Sequence, residues 1–186
     1  MPPKVKITRE DIINAAVQLV RSSGMQAMNA RAVAAALSCS TQPVFSNFAT
    51  MEDLYFAVEQ QAVELYREYT RREMAEGEYP VYKASGMAYI RFAKDEKELF
   101  KFLFMCDQSQ SAMSQSAVLF DEMIGVVQDN TGLETEDAKL FHLEVWSFVH
   151  GIATMFATGY LDLEWELVSD MVTDAYQGLR KQHTTE

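Results

Sequence analysis

The chain is poor in the residues that cross-link small folds or interrupt helices. Its 186 residues include two cysteines, four prolines and eight glycines. Cys39 and Cys106 are too few and too far apart for a disulfide framework or a cysteine-based metal site. The three histidines form neither an HxxxH nor an HExxH pair. We therefore expect a reduced, cytoplasmic protein with no metal and no cofactor.

Signals for export or membrane insertion are also missing. The first ten residues, MPPKVKITRE, contain no apolar stretch of the kind that secretory signals have. The most apolar run, Val145 to Leu161, is near the lower length limit for a membrane span and contains His, Ser, Thr and Gly. This run predicts a buried helix, and no membrane partner is expected.

Catalytic motifs are absent as well. The sequence has no GxSxG, no glycine-rich phosphate loop and no cysteine with a convincing histidine partner. Hydrophobic residues make up 48% of the chain and charged residues 23%, which indicates a folded globular protein. An enzyme is not predicted. A helical-bundle enzyme or carrier with a cavity as its active site stays open as an alternative.

The acidic charge is unevenly distributed along the chain. The net charge is −11, yet residues 1–48 hold five basic and two acidic side chains. The acidity therefore belongs to the remainder of the chain. A mildly positive head on an acidic body would approach a polyanion only through the head.

Helical periodicity recurs throughout the sequence while strand-like alternation is scarce, so the predicted fold class is all-α with about nine helices. Thr8 and Asp11 resemble a capping pair for the first helix, and Gly24 is its expected end. Asn29 is a suitable N-cap for a second, short helix. Ser40 is the expected N-cap of a third, in which Pro43 is tolerated in the first turn.

The second and third helices form a candidate helix-turn-helix, joined by a turn at residues 38–40. Helical spacing puts Val44 and Phe48 on one side of the third helix, with Gln42 and Ser46 on the opposite side. Small polar side chains on the outer side are suited to a DNA major groove. A plain helical hairpin within a bundle is the alternative.

Longer helices are predicted downstream. One runs from Met51 to about Glu76, Pro80 opens another, and residues 112–130 form a single helix that ends near Gly132. The helix from Glu136 to Thr158 has two apolar rows, and the last helix has one, so we expect a dimer built from these two helices, with packing within one chain as the alternative. The predicted interface comprises Phe141, Val145, Phe148, Ile152, Trp165, Val168, Val172, Ala175 and Leu179.

Aromatic and methionine side chains in the second half of the chain are candidates for a ligand cavity. Such side chains line many pockets for apolar or aromatic molecules, although most residues of this kind are ordinary core. The candidates for an effector site are Phe102, Met105, Phe120, Met123, Trp146 and His150.

The segments ITREDIINAAVQLVRSSG, NARAVAAALSCSTQPVFSNF and MEDL resemble the head of the tetracycline-repressor (TetR) family of transcriptional regulators, in that order and spacing. The later segment WSFVHGIATMFATG resembles a Trp-His-Gly signature in the ligand-binding part of some members. The resemblance implies a DNA-binding domain at residues 1–50 and an effector-binding and dimerisation domain at residues 51–186.

The resemblance implies a ligand-responsive transcriptional regulator, expected to be a repressor that binds a palindromic double-stranded DNA operator as a homodimer and is released by a small apolar or aromatic effector. Asn29 and Arg31 would contact phosphates, and Lys4 and Lys6 would follow the backbone or the minor groove. The residues expected to face DNA on the third helix are Thr41, Gln42, Pro43, Phe45, Ser46 and Asn47.

The sequence departs from the family pattern at four positions. Phe45 stands where tyrosine is usual, Met51 where lysine is common, Asn47 where histidine or another aromatic is common, and Ser38 where glycine usually makes the turn. The first two changes remove a phenolic donor and a cation from the DNA edge. A related module with weak or lost operator binding is therefore the competing interpretation.

Overall fold

The computed structural model describes residues 7–105 and 115–184, and these residues contain α-helices and no β-strand. The all-α prediction is confirmed. A short 3₁₀ turn at Met25–Ala27 follows the first helix. The helices are α1 (Arg9–Ser23), α2 (Ala30–Ala36), α3 (Gln42–Asn47), α4 (Met51–Glu76), α5 (Val81–Asp95), α6 (Lys97–Phe104), α7 (Gln115–Glu122), α8 (Ile124–Thr131), α9 (Thr135–Thr158) and α10 (Trp165–Thr184).

Side-chain caps fix the start of three of these helices. At α1 the Thr8 and Asp11 side chains form a reciprocal capping box, and Thr50 with Asp53 does the same for α4. Asn29 Oδ1 accepts from the backbone N–H groups of Arg31 and Ala32 at the start of α2. The predicted N-termini of α1, α2 and α4 are thereby confirmed, as is the end of α1 at Gly24.

The start of α3 differs from the prediction. Its N-cap is Thr41 rather than Ser40, and no side chain accepts a bond from the first turn. Pro43 occupies that first turn, where a missing N–H leaves no helical bond unmade. In the preceding turn Ser38 adopts φ 52°, a left-handed conformation that glycine adopts with less strain. The turn between α2 and α3 is therefore held by a residue under backbone strain.

The predicted single helix at 112–130 is two helices. α7 and α8 are separated at Met123, which is the N-cap of α8, and residues 112–114 lie outside the described part of the chain. α8 ends where Gly132 takes a left-handed conformation (φ 73°), as predicted. The apolar pattern continues across Met123, so periodicity alone does not reveal the break.

α4 joins the first three helices, here called the head, to helices α5 to α10, here called the body. The side chains buried where α1, α2 and α3 meet include Ile12, Val33 and Val44, and α4 adds Leu54 and Val58 to the same core. Tyr55 of α4 donates its hydroxyl hydrogen to the carbonyl oxygen of Met28 (2.9 Å). The N-terminal end of α4 is thus attached to the segment that leads into α2.

α5 is the most buried helix of the body and packs chiefly against α4 and α9. α9 in turn contacts α5, α6, α8 and α10. By length and composition α9 could cross a membrane, with a mean hydropathy of 1.2 over its most apolar window. Its contacts with four other helices are those of a core helix.

Two buried carboxylates connect the helices through ion pairs. Glu96, at the junction of α5 and α6, and Glu73 of α4 are each only 3% exposed. Arg21 of α1 binds both oxygens of Glu96, and its Nε lies 2.6 Å from Oε2. Arg91 of α5 binds Glu73, with Nε 2.8 Å from Oε2. The first pair connects α1 directly to the body. In it, Arg21 supplies the partner that the buried Glu96 carboxylate requires.

Candidate functional site

The outer side of α3 is polar apart from one phenylalanine. Val44 and Phe48 are buried, as predicted, while Phe45 is 52% exposed and Gln42 and Ser46 are also exposed. Ser46 Oγ donates to the carbonyl oxygen of Gln42 at 2.8 Å. The Gln42 side chain makes no hydrogen bond among the described residues, so both its donor and its acceptor are available to an external partner.

The other residues predicted to contact DNA are all at least partly exposed, within the described part of the chain. Asn29 and Arg31 are exposed, whereas Thr41, Pro43 and Asn47 are partly exposed. Asn29 already serves as the α2 cap, and Asn47 Nδ2 donates to the Pro43 carbonyl oxygen at 2.8 Å. Lys4 and Lys6 lie outside the described residues. The structure thus leaves this surface open without assigning it a partner.

A large cavity lies in the body, with a volume of about 1520 Å³. The described helices α4 to α10 all contribute to its wall. Most of its lining is apolar or aromatic, with a smaller number of polar and charged side chains. The lining includes Tyr66, Glu78, Tyr79, Tyr82, Lys83, Tyr89, Phe104, Phe120, Asp121, Met123, His142, Trp146, Thr173, Tyr176, Gln177, Arg180 and Lys181.

Three of the six predicted effector residues line this cavity: Phe120, Met123 and Trp146. Phe102, Met105 and His150 are not part of the lining. From α6 it is Phe104 that reaches the cavity, and two helical positions separate it from Phe102 by about 200° around the axis. Met105 follows the end of α6 and is 41% exposed.

Two tyrosine–histidine pairs connect α5 to α9 beside the cavity. The Tyr82 hydroxyl lies 2.8 Å from His142 Nδ1, and the Tyr89 hydroxyl lies 2.9 Å from His150 Nδ1. The tyrosines were not among the predicted site residues. Their spacing of seven on α5 and the histidine spacing of eight on α9 each correspond to about two helical turns, and this match is the signal that could have paired them.

Burial keeps these pairs uncharged. It lowers the pKa of His142 to about 4 and also lowers the pKa of His150. It raises the pKa of the Tyr82 and Tyr89 hydroxyls well above the usual tyrosine range. At neutral pH both imidazoles are therefore neutral and both hydroxyls are protonated, so the pairs present hydrogen-bonding groups to the cavity without net charge.

His150 is stacked on Trp146, which lines the cavity. The two ring centroids are 4.7 Å apart, with an angle of 22° between the ring planes. The Phe120 ring centroid lies 6.3 Å from that of Trp146 and 4.3 Å from that of His142. These rings form a preformed aromatic wall, which is suited to a flat or apolar ligand.

Among the described residues, no group of three or more His, Cys, Asp or Glu side chains is placed to hold a metal ion. The cavity and the exposed side of α3 are two candidate sites in this part of the chain.

Residues 82–176 match the family model described as "Tetracyclin repressor-like, C-terminal domain". The chain belongs to the TetR family. The matched segment runs from α5 into α10 and includes most of the cavity wall, so the family assignment concerns the part of the chain that holds the candidate ligand site.

Solved structures share the TetR fold over nearly the whole chain. A TetR-like transcriptional regulator from Rhodococcus sp. RHA1 is 17% identical, with a TM-score of 0.71 over 96% of this chain and 98% of that one. A protein of unknown function from the same organism is 21% identical, with a TM-score of 0.74 over 98% of both chains. A TetR family member from Streptomyces coelicolor A3 is 18% identical, with a TM-score of 0.69 over 90% of this chain and 96% of that one. A search of curated protein sequences finds no match.

The depressed pKa of His142 predicts a pH-dependent stability. In the unfolded chain the His142 imidazole has a pKa near 6.5 and is protonated as the pH falls below that value. In the folded chain it is protonated only near pH 4. The free energy of unfolding should therefore decrease as the pH falls from 6.5 toward 4. The decrease is about 3 kcal/mol, from 1.36 kcal/mol per pKa unit. In the His142→Gln variant, the free energy of unfolding measured with urea should not show this decrease.

Tyr82→Phe is the matched control, because it removes the hydrogen bond to His142 but keeps the burial that lowers the pKa. Its stability should be lower at every pH and should still fall between pH 6.5 and 4. Equal pH dependence in the wild type and in His142→Gln would show that the folded imidazole is accessible to protons.

Proposed function

We propose that this TetR family member is a ligand-responsive transcriptional repressor of the cytoplasm. It binds a palindromic DNA operator as a homodimer and is released by a small apolar or aromatic effector. The observation that carries the proposal is one continuous helix, α4, which begins shortly after α3 and lines the cavity. Its first residue, Met51, follows α3 closely, and its Tyr66 lines the cavity.

The connection between the two sites is short and well anchored. Fifteen residues separate Met51 from Tyr66, which corresponds to about 22 Å of helix. Tyr55 fastens the first part of α4 to the Met28 carbonyl, while the Tyr66 ring packs edge-on against Tyr89 and Phe104 of the cavity wall. A ligand that displaces these rings would also move α4, and through it α3.

The Arg21–Glu96 pair supplies a second connection between the head and the body. An effector shifts the equilibrium between two arrangements only by its difference in affinity for them, typically about 1–3 kcal/mol. Both connections resist deformation, because α4 is one continuous helix and the buried Glu96 carboxylate requires its Arg21 partner. A small preference in the cavity is therefore sufficient to change the separation of the two α3 helices in a dimer.

The direct test is selection of genomic DNA fragments by the purified protein. A repressor of this kind should recover fragments that share an inverted repeat, with half-sites whose centres are roughly one helical turn apart, 34–36 Å, or somewhat more. Gel-shift titration of the recovered sequence against a scrambled one measures the specificity. Recovery of no inverted repeat would contradict operator binding and favour the competing module that has lost it.

The missing cation at the DNA edge predicts weak sequence-independent binding. Met51 lies at the first position of α4 and is partly exposed. If this end of α4 lies against phosphate, Met51→Lys should strengthen binding to all sequences, because phosphate contacts carry little base information. Two added lysines per dimer should steepen the slope of log affinity against log salt by about 1.8.

Val81→Lys is the matched control for Met51→Lys. Val81 is exposed and follows the far end of α4, about 40 Å along the chain of helices from Met51. The Val81→Lys variant adds the same charge away from the proposed DNA surface. It should leave the slope of log affinity against log salt unchanged. An unchanged slope for Met51→Lys as well would place the N-terminus of α4 away from the DNA backbone.

Phe45→Tyr, which adds only a hydroxyl donor, should strengthen binding without altering the slope.

The proposed dimer face shares only Phe148 of α9 with the predicted interface. Five of the nine predicted interface residues are buried within the single chain and add no area to a dimer. These are Phe141, Val145, Ile152, Val168 and Val172. Trp165 is half-buried beneath the Arg91 guanidinium, whose carbon lies 4.2 Å from the ring centroid. Phe148, Ala175 and Leu179 keep exposed surface.

The proposed dimer face is the exposed apolar side of α9 and α10. It includes Leu140, Leu143 and Phe148 of α9 and Leu167 of α10, each 37% to 49% exposed, and Leu143 also lines the cavity. Gly151 lies on the same side of α9, because eleven residues correspond to about three turns from Leu140. A Cβ atom at Gly151 would meet nothing within 4 Å. This side therefore permits close approach of a second helix from a partner subunit.

Gly151→Leu separates dimerisation from folding. The added side chain meets no atom of its own chain near its Cβ and increases helix propensity, so the monomer should gain up to about 1 kcal/mol. The same side chain would hold two α9 helices apart, so sedimentation should show a dimer that dissociates at higher concentration than the wild type.

Gly125→Leu is the control, because a Cβ atom at Gly125 in α8 would also meet open space, and this residue lies on a different helix from the proposed face. It should stabilise the chain without changing its association. A wild-type monomer at micromolar concentration, or equal association of the wild type and Gly151→Leu, would contradict this interface.

A further inference from the structure

Lys83 of α5 is a half-buried cation in the cavity wall. Its Nζ donates to Ser169 Oγ (2.7 Å) and to Thr173 Oγ1 (2.8 Å) on α10, and it lies 4.5 Å from the centroid of the Tyr79 ring. These partners are neutral. Two of the three ammonium hydrogens are used in the two bonds, so one remains for a ligand.

No carboxylate of the described residues lies within ion-pair distance of Lys83. The two buried carboxylates of the described residues each have an ion-pair partner: Glu96 has Arg21, and Glu73 has Arg91. A charge removed from water is normally paired, because desolvation without compensation is costly. Lys83 is therefore positioned as a cation whose counter-charge is supplied from outside the chain.

The charges around the cavity favour one negative group at this place. α10 contributes Arg180 and Lys181 to the lining and contributes no carboxylate. These two cations and the two carboxylates that line the cavity, Glu78 and Asp121, are all exposed, so water screens their charges. The half-buried ammonium of Lys83 is screened less, so a negative group on a ligand gains most at this place.

We propose that the cavity binds an aromatic or apolar carboxylic acid, with the carboxylate on Lys83 and the body of the ligand against Phe120 and Trp146. This inference rests on the proposed function, because it names the chemical class of the effector at the same cavity. It differs from a purely apolar ligand in requiring a charged end. Thr173 and Ser169 position the ammonium, and a charge-assisted hydrogen bond to the carboxylate completes its coordination.

Isothermal titration with matched pairs of a carboxylic acid and its primary amide tests this assignment. The pairs carry phenylmethyl, 2-naphthylmethyl and nonyl bodies, and each amide keeps the shape of the acid but not its charge. Near neutral pH at least one acid should bind the wild type about tenfold more tightly than its amide, as expected for a hydrogen bond to a charged group. In Lys83→Met the acid should lose this advantage.

The amide is the internal control for folding, because its affinity for Lys83→Met should equal its affinity for the wild type if the cavity is intact. Lys94→Met is the second control, since Lys94 lies on the same helix, is paired with Asp162 and is not part of the lining. It should leave the acid preference unchanged.

Three results would overturn the inference: equal affinity of acid and amide in the wild type, an acid preference that survives in Lys83→Met, or no binding of any acid at millimolar concentration. None of these bears on operator selection by the unliganded protein. Failure of the carboxylate assignment is therefore distinguishable from failure of the proposed regulator function.

Discussion

The polar side chains of the buried helix α5 need partners, and the rest of the structure is arranged around supplying them. Tyr82 and Tyr89 are bonded to histidines of α9, Lys83 to hydroxyls of α10, and Arg91 to the carboxylate of Glu73 on α4. At the end of the helix, buried Glu96 is bound by Arg21 of α1. Since a buried polar group left unpaired costs free energy of the order of 1–3 kcal/mol, each bond fixes the register of one neighbouring helix against α5.

This arrangement explains how a cavity persists in a well-packed protein. A void of this size forfeits the dispersion contacts that a filled core would have. The hydrogen bonds from α5 to α9 and α10 fix the spacing of these helices, and the Trp146 ring that lines the cavity is stacked on His150. The same helix thus lines the cavity and, through Glu96 at its end, carries an ion pair to α1. The cavity wall and the connection to α1 depend on one set of polar contacts.

The starts of α1, α2 and α4 and the ends of α1 and α8 were predictable because their signals are local. Thr8, Asn29 and Thr50 begin helices by hydrogen bonds within three residues, and Gly24 and Gly132 end them by their own backbone conformation. The cavity was only half predictable, because Phe102 and Phe104 have the same chemistry and only tertiary packing decides which one faces inward. The tyrosine–histidine pairs lie 60 and 61 residues apart in sequence, a separation at which no local pattern operates.

The two apolar rows of α9 show how tertiary context decides between equal local signals. Both rows were visible, but a period of 3.6 does not identify the neighbour that covers each one. α5 and α10 bury Phe141, Val145 and Ile152, which leaves Leu140, Leu143 and Phe148 uncovered. Scattered single exposures need no explanation, whereas exposed apolar side chains that share one side of a helix form a patch that a partner would cover. The open space at Gly151 on that side gives a partner helix room to approach.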